Sequence, residues 1–156
     1  MKETRGNMFA YIGRSRFKLF ITTNGFVKKD GTAVMGAGNA AQAVKIFQDE
    51  NINLPDLLGK ALMDKGNVIT RLTTQLYTFP VKEAWYEKAS LRLIKKSVSR
   101  LKEIIEEDND KTKTYVLPRP GCGNGGLKWE RVKPLLESLP DCVWVICSWS
   151  DPQWKK

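Results

Sequence analysis

The feature that narrows the fold most is a short apolar run, Tyr115-Val116-Leu117, that leads straight into Pro118-Arg119-Pro120-Gly121-Cys122-Gly123-Asn124-Gly125-Gly126 and then into helix-forming sequence from Trp129. A strand that ends in a glycine-rich loop and restarts as a helix is a building unit of α/β proteins. In such folds the loop lies at the carboxyl edge of the sheet, where ligands bind. Four glycines in the six positions from Gly121 to Gly126 let the backbone come close to a ligand. Backbone N–H groups gathered there, in front of a helix N-terminus, attract anions. A tight turn with no ligand is the plainer alternative. The loop satisfies Gly-x-Gly-x-x-Gly, but a dinucleotide fingerprint also needs an acidic residue roughly 20 positions on. Cys147-Ser148 stand there instead. A nucleotide-triphosphate loop needs lysine directly after its last glycine, and here Leu127 follows, then Lys128 and Trp129.

The rest of the chain alternates in the same way. Residues Phe17 to Thr22 read as a strand with Phe17, Leu19 and Ile21 on one face. Short strands are expected at Val68–Leu72 and Leu76–Phe79, the second broken by Pro80. Cys142–Cys147 reads as a central strand. Helices are expected at Ala40–Gln48, at Leu54–Lys65 with Pro55 near its start, and at Trp129–Ser138. The clearest helix is Ser90–Glu107, where Leu91, Ile94, Val98, Leu101 and Ile105 recur at helical spacing while Arg92, Lys95, Lys96, Arg100 and Lys102 fill other positions. Asp108-Asn109-Asp110 ends it. The tail 149–156 is expected to be frayed. This alternation predicts one α/β domain with a mixed, mainly parallel central sheet and helices on its faces.

Composition then removes whole classes of function. The chain of 156 residues has no histidine, so Ser-His-Asp and Cys-His catalysis are excluded. Three cysteines without spaced pairs argue against a disulfide framework and against a zinc site, so no metal is expected. No apolar stretch is long enough to span a bilayer, and the first residues lack the apolar core of a signal peptide. No membrane role and a cytoplasmic location are therefore expected. The net charge of +9 favours polyanionic partners, from a phosphorylated nucleotide up to nucleic acid. A merely solvated basic surface is the alternative, for the long helix in particular.

A second glycine-containing segment, Met35-Gly36-Ala37-Gly38-Asn39, sits where the Ala-rich helix begins. It can hold a second phosphate, or clamp one pyrophosphate against the first loop. Close packing of small residues on the sheet explains it equally well without a ligand. Asn24, directly after an apolar strand, is either a sugar-binding amide or a turn residue.

Taken together, Thr22-Thr23-Asn24-Gly25, Val34-Met35-Gly36-Ala37-Gly38 and Pro118 to Trp129 resemble the macrodomain family. Within it, the branch of DNA ADP-ribosyl glycohydrolase antitoxins and terminal ADP-ribose protein glycohydrolases is the most similar. The resemblance runs from about Gly6 to Ser148. It implies a three-layer α/β/α fold, an ADP-ribose cleft and no cofactor. It places Asn7 and Met8 where the family carries an Asp-hydrophobic pair that receives adenine; Asn7 is a departure that keeps an acceptor oxygen but loses the charge. It places Asn24 near the distal ribose. Met35, Gly36, Ala37 and Gly38 fall on the first phosphate loop, and Gly121, Cys122, Gly123, Asn124, Gly125 and Gly126 on the second. Phe79-Pro80-Val81-Lys82-Glu83-Ala84-Trp85 resembles a segment of the antitoxin branch whose lysine is implicated in catalysis, which makes Lys82 and Asn24 the catalytic candidates. Protein-directed relatives carry an Asp where this chain has Gly125.

The implied chemistry breaks the bond at the anomeric carbon of the distal ribose through an oxocarbenium-like transition state. Lys82 can act as an attacking neutral amine or as a charge that stabilises the leaving group. Otherwise it is one of 26 solvated basic residues. Substrates in view are ADP-ribosylated DNA or protein and small derivatives such as ADP-ribose 1″-phosphate. A non-catalytic ADP-ribose reader is the alternative.

Overall fold

The computed structural model describes residues 1–148, so the expectation of a frayed tail at 149–156 lies outside the described residues. Five strands, β1 (Lys2–Arg5), β2 (Phe17–Asn24), β3 (Leu76–Lys82), β4 (Thr114–Leu117) and β5 (Val143–Cys147), form one sheet in the order β1-β5-β4-β2-β3. Every named pair is parallel. Among the described residues antiparallel pairing is confined to two isolated bridges, Val27 with Ala33 and Arg71 with Tyr77. The helices are α1 (Gly38–Gln48), α2 (Leu54–Lys65), α3 (Leu91–Asp108) and α4 (Trp129–Leu136), and Met8–Tyr11 make a short 3-10 turn.

Side chains alternate across each strand, and this sorts the helices onto two faces. Phe17, Leu19 and Ile21 of β2 join Leu76, Val116 and Ile146 against Ala43, Phe47, Leu54 and Leu58 of α1 and α2. Phe20 points the other way, with Tyr77, Phe79, Tyr115, Leu117, Val143 and Val145, against Ile94, Leu101, Val132 and Leu136 of α3 and α4. The result is a three-layer α/β/α sandwich with a core on each side of the sheet.

Two local expectations change. Pro80 does not end its strand; β3 continues through it to Lys82. β3 is an edge strand, and Pro80 sits on the outward-facing side of the ladder, where no neighbouring strand needs its N–H. Its carbonyl accepts from the Ser97 hydroxyl at 2.8 Å. Val68–Leu72 is not a strand of the sheet. It lies along the outer edge of β3 through irregular bonds, with Thr78 N–H to the Thr70 carbonyl at 2.9 Å and Thr70 N–H to the Thr78 hydroxyl at 2.8 Å. The edge is thereby covered.

β1 and the 3-10 turn have no counterpart in the sequence reading. β1 is Lys-Glu-Thr-Arg, with no apolar alternation, and its position is set by pairing with β5 from Lys2–Trp144 to Arg5–Cys147. Among the described residues no helix is long and apolar enough to cross a membrane.

Candidate functional site

A cleft of about 870 Å³ opens at the carboxyl ends of the strands. One wall is the first glycine segment: Met35, Gly36, Ala37 and Gly38, followed by Asn39 and Ala40 in the first turn of α1. The facing wall is the second, from Gly121 to Gly125. The floor holds Thr22, Thr23 and Asn24 of β2, with Ile146 and Cys147 of β5. Lys82 and Trp85 close one end. Two segments separated by more than 80 positions in sequence thus converge, and they nearly touch: a Cβ placed on Gly38 would lie 3.5 Å from the Asn124 amide nitrogen.

The two walls are held differently. On the first, α1 starts at Ala37 with no side-chain cap, whereas α2 and α3 are capped by Asn53 and Ser90. The N–H groups of the first turn of α1 therefore have no side-chain acceptor and stand in the cleft wall. Asn39 ties that turn to the sheet, accepting from Thr22 N–H at 3.0 Å and donating to its hydroxyl at 3.2 Å. The second wall is a folded loop. Leu127 N–H donates to the Gly121 carbonyl at 2.9 Å and Gly126 N–H to the Gly123 carbonyl at 3.1 Å. Ala89 N–H donates to the Gly125 carbonyl at 2.9 Å, which fastens the loop to the start of α3.

The glycines divide into two kinds. Gly125 is required by the protein's own packing, because a Cβ there would lie 2.5 Å from the Gly121 carbonyl oxygen and 2.7 Å from the Ala89 Cβ. The Asp found at this position in protein-directed relatives has no room on this backbone. Gly36 and Gly123 are of the other kind. Neither has positive φ, and a Cβ on either meets nothing within 4 Å. Nothing in the chain itself calls for glycine at these two points, and both face the cleft.

Among the described residues lining the cleft there is no carboxylate. The cationic ones are Lys82 and Arg119. Lys82 is half-buried at the end of β3, and its Nζ donates to the carbonyls of Trp85 and Asn124, each at 3.3 Å. It therefore joins the end of β3 to the second glycine loop. Asn24 uses one amide hydrogen on the Val34 carbonyl at 3.0 Å and accepts from Phe26 N–H at 3.0 Å. One N–H and one lone pair of its amide stay available to a ligand.

Three sequence candidates stand away from the cleft lining. Asn7 is exposed and caps the 3-10 turn, accepting from Phe9 N–H at 3.0 Å. Met8 is buried in the core. Gly126 lies under the methylene chain of Lys88. Cys122 lines the cleft and also packs on the core.

Several residues that the sequence reading left unassigned shape the site. Arg119 is buried, its guanidinium 4.9 Å above the Trp129 ring and 3.5 Å from Glu3. Glu3 also accepts from Trp129 Nε1 at 2.9 Å and pairs with Lys133 at 2.9 Å. Burial is the largest single influence on Glu3 and pushes its carboxyl up. The hydrogen bonds from Lys133 and Trp129, with the charges of Lys133 and Arg119, nevertheless hold it below the usual range. Asn67 donates to the Lys82 carbonyl at 2.9 Å and packs against Gly25, so it clamps the ends of β2 and β3 together. Thr23 carries a buried hydroxyl without a partner in the cleft floor.

Most of the chain superimposes on solved structures. The macrodomain of Mycobacterium tuberculosis DarG matches with a TM-score of 0.67 and 25% identity over 92% of this chain and 95% of its own. The macrodomain of Thermus aquaticus DarG matches at 0.66 and 24% identity, covering 96% and 97%. Thermosipho africanus DarTG, solved in complex with ADP-ribose, matches at 0.65 and 23% identity over 94% of this chain and 41% of that longer one. No family model and no curated protein matches the sequence.

Proposed function

We propose that this chain, which has the macrodomain fold, binds ADP-ribose in its cleft and hydrolyses the bond joining the distal ribose to a macromolecular carrier. The observation that carries this is the pair of glycine walls facing each other across the cleft, with Gly36 and Gly123 leaving open space where a ligand's phosphates would approach the backbone. The similar Thermosipho africanus structure holds ADP-ribose, which supports the choice of ligand.

Among the described residues lining the cleft there is no carboxylate pair for the usual glycoside chemistry. The reaction therefore falls to Lys82 and an ordered water. The anomeric carbon–carrier bond breaks, the water oxygen takes the carbon, and the water's proton goes to the carrier. Lys82, whose Nζ already donates to two carbonyls at the loop, stabilises the departing group by its positive charge. Asn24 orients the distal ribose with its remaining amide hydrogen. Lys82→Ala is expected to abolish release of ADP-ribose from ADP-ribosylated oligonucleotide or protein, or of phosphate from ADP-ribose 1″-phosphate, while ADP-ribose still binds. Unchanged turnover in that variant overturns the assignment. The lack of a carboxylate among the described cleft residues also favours a second reading, a reader that binds ADP-ribose without turnover. It is distinguished by tight binding with no product from any of these substrates.

A further inference from the structure

The outer face of α3 carries its charges in two blocks. Exposed Arg92, Lys95 and Lys96 fill the N-terminal half, exposed Glu103, Glu106 and Glu107 the C-terminal half, and exposed Ser99 lies between them. Arg92, Lys96, Ser99, Glu103 and Glu106 follow one another at alternating steps of four and three, so they form one line down the helix. Arg100 and Lys102 are half-buried on its flanks. The first turn has no acidic residue and the last turn no basic one. A helix N-terminus favours anions and a C-terminus cations, so this order costs a lone chain stability. Arg100 neutralises part of the acidic block, holding Glu103 at 3.0 Å and Glu107 at 2.9 Å. Among the described residues Arg92, Lys95, Lys96 and Glu106 form no ion pair.

Such a face is complementary to itself once it is turned end over end. Two copies of α3 laid antiparallel, with a twofold axis at Ser99, set Arg92 of each over Glu106 of the other and the Lys95–Lys96 pair over Glu103. Every contact then occurs twice, as a twofold interface requires. A parallel arrangement sets like charge on like. Ser99 is the small residue at the crossing, and it lets the helices approach. Beside the line runs a groove of about 330 Å³, lined by Lys96, Ser99, Arg100 and Glu103 with Val68 and Ile69 of the segment that covers the edge of β3. A second copy seated on α3 covers this groove and its apolar wall.

We propose that the outer face of α3 is a self-association surface, through which two copies of this chain pair antiparallel about Ser99. The charge of the whole chain favours this place. The protein carries +9, so most of its surface repels a second copy. The helix Leu91–Asp108 has five basic and four acidic residues and is close to neutral. A polyanion is a poorer occupant, because the acidic block lies across its path. The line from Arg92 to Glu106 is about 21 Å long, which is short for a stable interface, and exposed ion pairs contribute little each. The dimer is therefore expected to be weak, forming at micromolar protein or above. This inference stands whether or not the cleft binds ADP-ribose.

Sedimentation velocity of the full chain between about 5 and 500 µM protein, a range that brackets a weak dimer, tests this. At low salt the wild type is expected to shift from monomer toward dimer as its concentration rises. The shift is expected to shrink at about 1 M salt, where the screening length falls to about 3 Å. The variants R92E/K95E/K96E and E103K/E106K/E107K each give the whole line one sign, and each is expected to stay monomeric. Both reversals agree with the helix dipole, so both should fold, which a thermal melt checks. Mixed in equal amounts, the two monomeric variants are expected to form a heterodimer at least as tight as the wild-type dimer. Ser99→Lys changes one exposed side chain and sets bulk and like charge on the twofold axis. It is expected to weaken the dimer at least about tenfold. A wild type that stays monomeric throughout, a triple variant or S99K that dimerises like the wild type, or a mixture of the two triple variants that stays monomeric overturns the proposal.

Discussion

At the amino edge of the sheet the Gln75 amide donates to the carbonyls of Tyr11, Arg14 and Phe17 at 2.8–3.0 Å and accepts from Gly13 N–H at 3.0 Å. Beside it, Asp108 pairs with Lys18 and accepts from the Tyr115 hydroxyl at 2.6 Å. At the carboxyl edge, α1 begins without a cap, Gly36 and Gly123 face open space, and no carboxylate lines the cleft among the described residues. One edge satisfies its polar groups with its own side chains. The other leaves backbone donors for something from outside. Substitutions at the first edge should therefore register in stability, and those at the second in ligand affinity.

The largest expected effect is at the amino edge. Asp108→Ala leaves Lys18, with a side chain only 15% exposed, without its counter-charge, and the Tyr115 hydroxyl without its acceptor. A loss of about 2–4 kcal/mol in denaturant unfolding is expected, with ADP-ribose affinity unchanged in the folded protein. An affinity that falls in step with stability breaks the separation of the two edges.

The converse holds at Gly123. Leucine there meets no protein atom near its Cβ, so stability should stay within about 0.5 kcal/mol. ADP-ribose binding should weaken at least about tenfold, or about 1.4 kcal/mol. Gly125→Ala sharpens the contrast within a single loop, because the added methyl strikes Gly121 and Ala89. It should lower both stability and affinity. Tight ADP-ribose binding by the Gly123 leucine variant would mean that the open space is not where the ligand lies.

The smallest effects are in pH dependence. Folding holds Glu3 below its ordinary value of 4.5, so its contribution is whole above that pH and disappears as the pH falls. Glu3→Gln should flatten the acid limb of the stability curve. Burial, then the bond to Asp108, raises the Tyr115 hydroxyl far above its ordinary value of 10.0. Its contribution is whole below pH 10.0 and is lost as the pH rises. Tyr115→Phe should cost about 1 kcal/mol near neutrality and soften the alkaline limb.

The same contrast decides what could be read without coordinates. Both glycine segments and the helix Leu91–Asp108 are legible because local composition and apolar spacing carry them, whereas Lys82 stands out among the 26 basic residues only through the resemblance. The strand β1 is not, because Lys-Glu-Thr-Arg becomes a strand only by pairing with β5. Arg119 and Asn67 stayed unassigned for a similar reason. The partners that give them meaning, Glu3 and Lys82, lie 116 and 15 residues away, and no local pattern links them. Pro80 misled because its effect depends on which side of an edge strand it faces, and a sequence does not show that. Asn7 sits at the position that the resemblance gives to adenine recognition, yet in the structure it caps a 3-10 turn.

The most direct test of the account is a calorimetric titration of the chain with ADP-ribose, with AMP and NAD as comparison ligands. Micromolar binding of ADP-ribose, much weaker binding of AMP, and loss of both in the Gly123→Leu variant is the predicted result. No heat with any of the three ligands, or binding that the leucine variant leaves intact, contradicts the claim that the carboxyl edge of the sheet is an ADP-ribose site.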